Sequence, residues 1–156
     1  MQKYDLIVIG SGPAGQRAAI QGAKFGHRVA VIEQRAIVGG ACINTGTIPS
    51  KTMREAVLHL SGYQYQGIYG VNYKVKEKIT MADLGSRVNQ VIKTEVDVTQ
   101  AQLSRNGVDV IYARASFLDA THIRTENARG QADMEAPIVI VAAGTKPATA
   151  LKLDVA

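Results

Sequence analysis

An α/β fold built on a parallel sheet is expected for this chain of 156 residues, on three observations. Two continuous apolar runs, "YDLIVIG" (Tyr4–Gly10) and "RVAVIE" (Arg28–Glu33), have the pattern of strands covered on both faces. Between them lie a glycine-rich turn and a stretch of small residues at helical spacing. Strand, helix and strand at this spacing form a βαβ unit, which calls for parallel pairing and a right-handed crossover.

The first helix is expected over Ala14–Phe25, where Ala18, Ala19, Gly22 and Ala23 keep one face small and Gly26 stops it. Pro49 opens a second helix. Thr52 and Glu55 have capping-box spacing, Met53, Ala56, Val57 and Leu60 share a face, and Gly62 ends it. "GYQYQGIYGVNY" reads as a loop punctuated by glycine and tyrosine. Thr80 and Asp83 repeat the capping spacing and start a long amphipathic helix. Its inward face is Leu84, Val88, Val91, Ile92, Val96 and Leu103, and Asn106–Gly107 stops it. At ~1.5 Å per residue it would run about 40 Å and project beyond a small sheet. "VDVIYARASF", "HIRTE" and "PIVIVAAG" are expected as further strands, with Asn127–Gly130 as the turn between the last two. There is no internal repeat, low-complexity linker or domain boundary.

Composition narrows the function classes. Hydrophobic residues make up 46% and charged residues 20% of the chain, as in a soluble globular domain. No apolar run approaches the roughly eighteen residues of a membrane span. The N-terminus enters a strand without a signal pattern. A single cysteine cannot form an intrachain disulfide, so a cytoplasmic setting is expected. The net charge of +5 comes from scattered lysines and arginines without interleaved aromatics. That pattern favours phosphorylated ligands over nucleic acid. His27, His59 and His122 form no dyad and are expected at the surface; no metal site is expected.

The turn "GSGPAG" places Gly10, Gly12 and Gly15 in the G-x-G-x-x-G spacing. Gly10 permits the tight turn, Gly12 lets a pyrophosphate approach the backbone, and Gly15 lets the helix pack on the sheet. The helix N-terminus offers free N–H groups and partial positive charge to the phosphates. Glu33, ending the second strand, has the offset to bind a ribose hydroxyl and disfavours a 2′-phosphate. This unit alone leaves NAD-like and FAD-like dinucleotides both open.

The stretch "GGACINTGTIPSK" (Gly39–Lys51) holds the lone cysteine. Together with "GSGPAG" and Glu33, it makes the chain resemble the flavoprotein disulfide reductases. Members of that family bind FAD through the N-terminal fingerprint. They carry a C-x-x-x-x-C redox disulfide in a G-G-x-C-x-N-x-G-C-x-P-S-K setting. Cys42 matches the first cysteine, but Thr47 stands in place of the second. "GTIPSKTMREA" looks most like the soluble pyridine nucleotide transhydrogenase branch, where that threonine is usual. "AAGTKP" (Ala142–Pro147) matches the later turn against the flavin, so the resemblance spans almost the whole chain.

The resemblance implies a Rossmann-like FAD-binding domain with a parallel sheet, a β-meander and a long projecting helix, incomplete relative to the family. It implies FAD contacts at Gly10, Ser11, Gly12, Pro13, Ala14, Gly15, Glu33, Gln34, Arg35, Gly39, Gly40, Ala41, Cys42, Thr47, Lys51, Ala115, Ala143, Gly144 and Thr145. Lys51 would lie near the flavin ring and stabilise its reduced form. Threonine can form neither a disulfide nor a thiolate, so flavin would pass hydride directly to a second nicotinamide, with Cys42 a packing residue. The activity implied is hydride transfer between NADPH and NAD⁺, with NAD(H) and NADP(H) as substrates of the full-length enzyme. Nicotinamide-binding and dimerisation domains, and hence a homodimer, are expected of that enzyme but not of residues 1–156, which alone are expected to be inactive. Two alternatives stand: a stand-alone FAD- or nucleotide-binding module, and a dihydrolipoamide dehydrogenase-like reductase lacking its second cysteine.

Overall fold

A computed structural model describes residues 1–60 and 80–145, including the backbone but not the side chain of Leu60. The expected stop at Gly62, the tyrosine loop, the facing of Leu60, and Lys146–Pro147 lie outside the described residues. The elements run β1 (Gln2–Lys3), β2 (Leu6–Ile9), α1 (Pro13–Lys24), β3 (Val29–Glu33), α2 (Gly40–Asn44), α3 (Thr47–Leu60) and α4 (Met81–Arg105). Five strands follow: β4 (Asp109–Tyr112), β5 (Arg114–Phe117), β6 (His122–Asn127), β7 (Gly130–Glu135) and β8 (Ile138–Val141).

The central sheet is parallel, in the order β4-β3-β2-β8, with Leu6 opposite both Val29 and Ile138. Both of its faces are covered, as the unbroken apolar runs predict. Leu6, Val8, Val29 and Val31 point into a cluster with Ala19 of α1 and Leu103 of α4. Ile7, Ala30 and Ile32 point the other way, onto Ile123 and Met134. The second covering is the sheet β1-β7-β6-β5, in which β5, β6 and β7 form an antiparallel meander. The fold is Rossmann-like α/β, with a parallel sheet between helices and a meander, and α4 spans 25 residues.

Several expectations are corrected in detail. "VDVIYARASF" is two strands in two sheets: β4 extends the parallel sheet and β5 edges the meander. The chain changes sheets at buried Ala113, whose N–H still donates to the Glu33 carbonyl at 2.9 Å. The turn at Asn127–Gly130 joins β6 to β7 rather than to the last strand. "GQADME" was not expected as a strand because only Met134 in it is an apolar residue that becomes buried.

Two helices also differ from expectation. Residues Gly40–Asn44 form the short helix α2, and α3 begins at Thr47, where Ser50 N–H donates to the Gly46 carbonyl at 3.1 Å. Thr52 and Glu55 are therefore interior to the helix and cap nothing. Met53 and Val57 are exposed, while Thr52 and Ala56 face α4 across a cavity. By contrast, Thr80 and Asp83 form the expected capping box. Val88 and Leu103 of the inward face are buried and the other four half-buried.

Candidate functional site

Three connections converge at the carboxyl ends of the parallel strands, where open α/β sheets bind their ligands. They are the β2–α1 turn, the segment after β3, and the turn after β8. A cleft of about 460 Å³ opens there. Of the expected residues, Gly10, Ser11, Gly12, Pro13, Ala14, Glu33, Gln34, Arg35, Gly40, Ala41, Cys42, Ala115, Ala143, Gly144 and Thr145 line it. Ile9, Ile32, Ala113, Arg114 and Ala142 line it as well. Their apolar and basic types carry no sequence signal for a site; only the sheet switch at Ala113 brings Arg114 round. Exposed Arg35 and Arg114 place two cations on the rim, as an anionic ligand requires.

The three motif glycines differ in what surrounds them. A Cβ on Gly10 would strike the Ala142 carbonyl oxygen, and one on Gly15 the Gly10 carbonyl oxygen. Gly12 has an ordinary φ of −66°, and a Cβ there would meet only the Gly40 Cα, at 4.0 Å. Nothing in the protein demands glycine at position 12. The space beside it, in front of the N-terminus of α1, is a cradle that a side chain would fill and a pyrophosphate fits.

Glu33 ends β3 and is buried, 6% exposed. Its Oε2 accepts from the Ser11 N–H at 3.0 Å and from the Ser11 hydroxyl at 2.5 Å. Its Oε1 accepts from the Arg35 N–H at 2.9 Å. These donors satisfy a carboxylate that would otherwise be costly to bury. Burial, with the Glu33 charge nearby, raises the pKa of the Tyr112 phenol. Glu33→Gln is expected to weaken the binding of a dinucleotide whose ribose reaches this carboxylate by about 1.5–3 kcal/mol, the range for a lost charged acceptor. A titration of the apoprotein measures it, and unchanged affinity would place the ribose elsewhere.

The cysteine loop is tied to the same turn. Gly39 N–H reaches the Ser11 carbonyl at 3.1 Å, and a Cβ on Gly40 would lie 2.8 Å from the Gly12 Cα. Asn44 Nδ2 donates to the carbonyls of Val38 and Gly40 at 3.0 and 2.9 Å. Its Oδ1 is the one buried side-chain oxygen or nitrogen among the described residues without a partner. Half-buried Cys42 rides on α2 into the cleft wall. Gly15 and Gly39 are buried beneath the cleft rather than in its wall. Thr47 starts α3 and is exposed. Lys51 is exposed and lines a second cavity, of about 770 Å³, between α3 and α4.

His27 and His59 are exposed. His122 is half-buried, and its Nδ1 lies 2.8 Å from Asp119, so this histidine has a carboxylate partner that sequence reasoning missed. A backbone N–H bond from Thr121, then the hydrogen bond from the His122 ring, lower the pKa of the Asp119 carboxyl to about 2. The pair links the β5–β6 turn, which holds Asp119, to the first residue of β6, and is absent from the lining of the cleft. Among the described residues no group of three or more His, Cys, Asp or Glu could hold a metal. No described helix is long and apolar enough to cross a membrane.

Comparison with known proteins gives a consistent result. The family described as "Pyridine nucleotide-disulphide oxidoreductase" matches residues 4–155. A soluble pyridine nucleotide transhydrogenase of Mycobacterium bovis (strain BCG / Pasteur 1173P2) is 49% identical over 150 residues, which are 95% of this chain and 32% of the relative. The protein of the same name from Colwellia psychrerythraea is 37% identical over 145 residues, 92% of this chain and 31% of the relative. Among solved structures, the Cu(II) complex of the HOCl-induced flavoprotein disulfide reductase RclA from Escherichia coli superposes with a TM-score of 0.74 at 28% identity. It covers 95% of this chain and 31% of that one. The chain thus spans about a third of the length of the relatives it matches.

Proposed function

Since the chain belongs to the pyridine nucleotide-disulphide oxidoreductase family, we propose that it is the FAD-binding part of a soluble NAD(P)⁺ transhydrogenase. One observation carries the reading: the cradle that a side chain at Gly12 would fill opens into the same cleft as Glu33 and Cys42. A phosphate site, a ribose acceptor and the cysteine loop in one wall suit a ligand with a dinucleotide body and a ring reaching toward α2. The cysteine loop favours FAD over NAD through its resemblance to the flavoproteins that carry this loop.

In this reading the backbone N–H groups at the start of α1 hold the pyrophosphate, and the rim arginines offset its charge. Glu33 accepts from the adenosine ribose. Bound FAD would supply a ring that accepts a hydride and gives it up again. Cys42 shapes the wall beside that ring and takes no part in electron transfer, because Thr47 supplies no second thiol. Lys51 is proposed as a cation tuning the ring on the strength of the resemblance alone. NADPH and NAD⁺ as donor and acceptor, and a homodimeric cytoplasmic enzyme, belong to the same proposal.

The reading is tested by an absorption spectrum of the purified full-length protein, with chromatography of heat-released ligand. FAD is the expected result; NAD or FMN alone overturns it. The mechanism is tested separately by Cys42→Ser. Hydride transfer from NADPH to an NAD⁺ analogue should persist, with a loss of stability of about 1 kcal/mol from the packed site. Loss of turnover with flavin still bound would restore a thiol mechanism.

A further inference from the structure

We propose that Ser11 is the positioning residue for the ribose-binding carboxylate: its hydroxyl aims Glu33 so that Oε1 keeps acceptor capacity toward the cleft. The proposal rests on the FAD reading above. Ser11 lies in the cleft wall but is fully buried behind its neighbours, so its hydroxyl does not act by touching a ligand. It can act only through its partners.

Those partners settle where its proton goes. Gly39 N–H lies 3.2 Å from Ser11 Oγ and can only donate. Glu33 Oε2, at 2.5 Å, can only accept as a carboxylate. The single hydroxyl proton is therefore committed to Glu33, and the oxygen's acceptor side to Gly39. A carboxylate has about four in-plane acceptor sites, two on each oxygen. Ser11 N–H and Oγ–H fill both on Oε2, whereas among the described residues Oε1 takes only the Arg35 N–H. The acceptor capacity left over is concentrated on Oε1 of a residue that lines the cleft. One buried hydroxyl thereby links the phosphate turn, the end of β3 and the cysteine loop. It sets the ribose acceptor in register with the pyrophosphate cradle.

The test compares two ligands on two chains. FAD and an FAD analogue carrying 2′,3′-dideoxyadenosine are titrated into the full-length apoprotein, wild type and Ser11→Ala. Wild type should prefer FAD by about tenfold or more, as a hydrogen bond to a charged acceptor implies. Ser11→Ala should reduce that preference to about twofold, while the affinity for the analogue changes by less than about twofold. A merely structural role would weaken both ligands alike and leave the preference intact, which overturns the proposal. If wild type binds FAD without preferring it to the analogue, the positioning role fails and the FAD reading stands. If wild type binds no FAD, both fail. Melting curves without ligand show which variants fold, and Ser11→Gly removes the same hydroxyl should the alanine variant not fold. If neither folds, the hydroxyl serves the fold and the proposal is wrong.

Discussion

Gly12→Val is expected to give a chain that folds like wild type and retains no FAD. The backbone at position 12 is extended, with φ −66° and ψ 178°, a conformation open to branched residues. The nearest protein atom to a Cβ there is the Gly40 Cα, at 4.0 Å, which is ordinary contact. The added side chain would occupy the cradle at the start of α1, so the pyrophosphate loses both its space and its approach to the backbone. The expected loss is at least 3 kcal/mol, on the order of a hundredfold or more in affinity. Flavin absorbance of the purified variant reads binding, and a thermal melt of the apoprotein reads the fold. Full flavin content would remove the pyrophosphate from this turn. A collapsed melt would mean that Gly12 serves packing instead.

The second large effect falls three residues away and is of the opposite kind. Gly15→Ala puts a methyl group into the carbonyl oxygen of Gly10. That obstacle is backbone, so no rotamer change relieves it. Helix α1 would have to lift from β2, opening the buried cluster of Leu6, Val8, Ala19 and Val29. A destabilisation of about 3 kcal/mol or more is expected, at the upper end for overpacking, and urea denaturation of the apoprotein measures it. A variant as stable as wild type would show that α1 does not need this close approach. Together the two substitutions separate ligand from fold within a motif that sequence writes with one repeated letter.

Much of the site was legible because its signals are local. The strand–turn–helix order, the glycine spacing and Glu33 at the end of β3 all follow from residues close along the chain. So does the Thr80–Asp83 cap of α4, since its donors and acceptors lie within four residues of each other. The same kind of signal misled at Thr52 and Glu55. Capping spacing is a local possibility, and here the helix had already begun at Thr47, with the Gly46 carbonyl accepting its bond from Ser50. The meander was harder to read for a different reason. Strand β7 buries only Met134 and leaves Ala132, its other apolar residue, exposed, so it carries too little apolar pattern to declare itself.

By itself, then, the amino-acid sequence determined the βαβ unit, the glycine-rich turn and the family resemblance, because glycine spacing and apolar runs express short-range sterics and burial. Only the tertiary structure decided that the run through Ala113 divides between two sheets, so that Arg114 and Ala115 come to the rim of the cleft. It also decided that Glu33 is held by Ser11 and that Lys51 opens into the cavity beside α4. These outcomes depend on groups far apart in the chain, such as Ser11 with Glu33 and Gly39, and Gly10 with Ala142. Whether such groups meet is set by how the sheet, the meander and the helices fill space together, and no window of neighbouring residues contains that information.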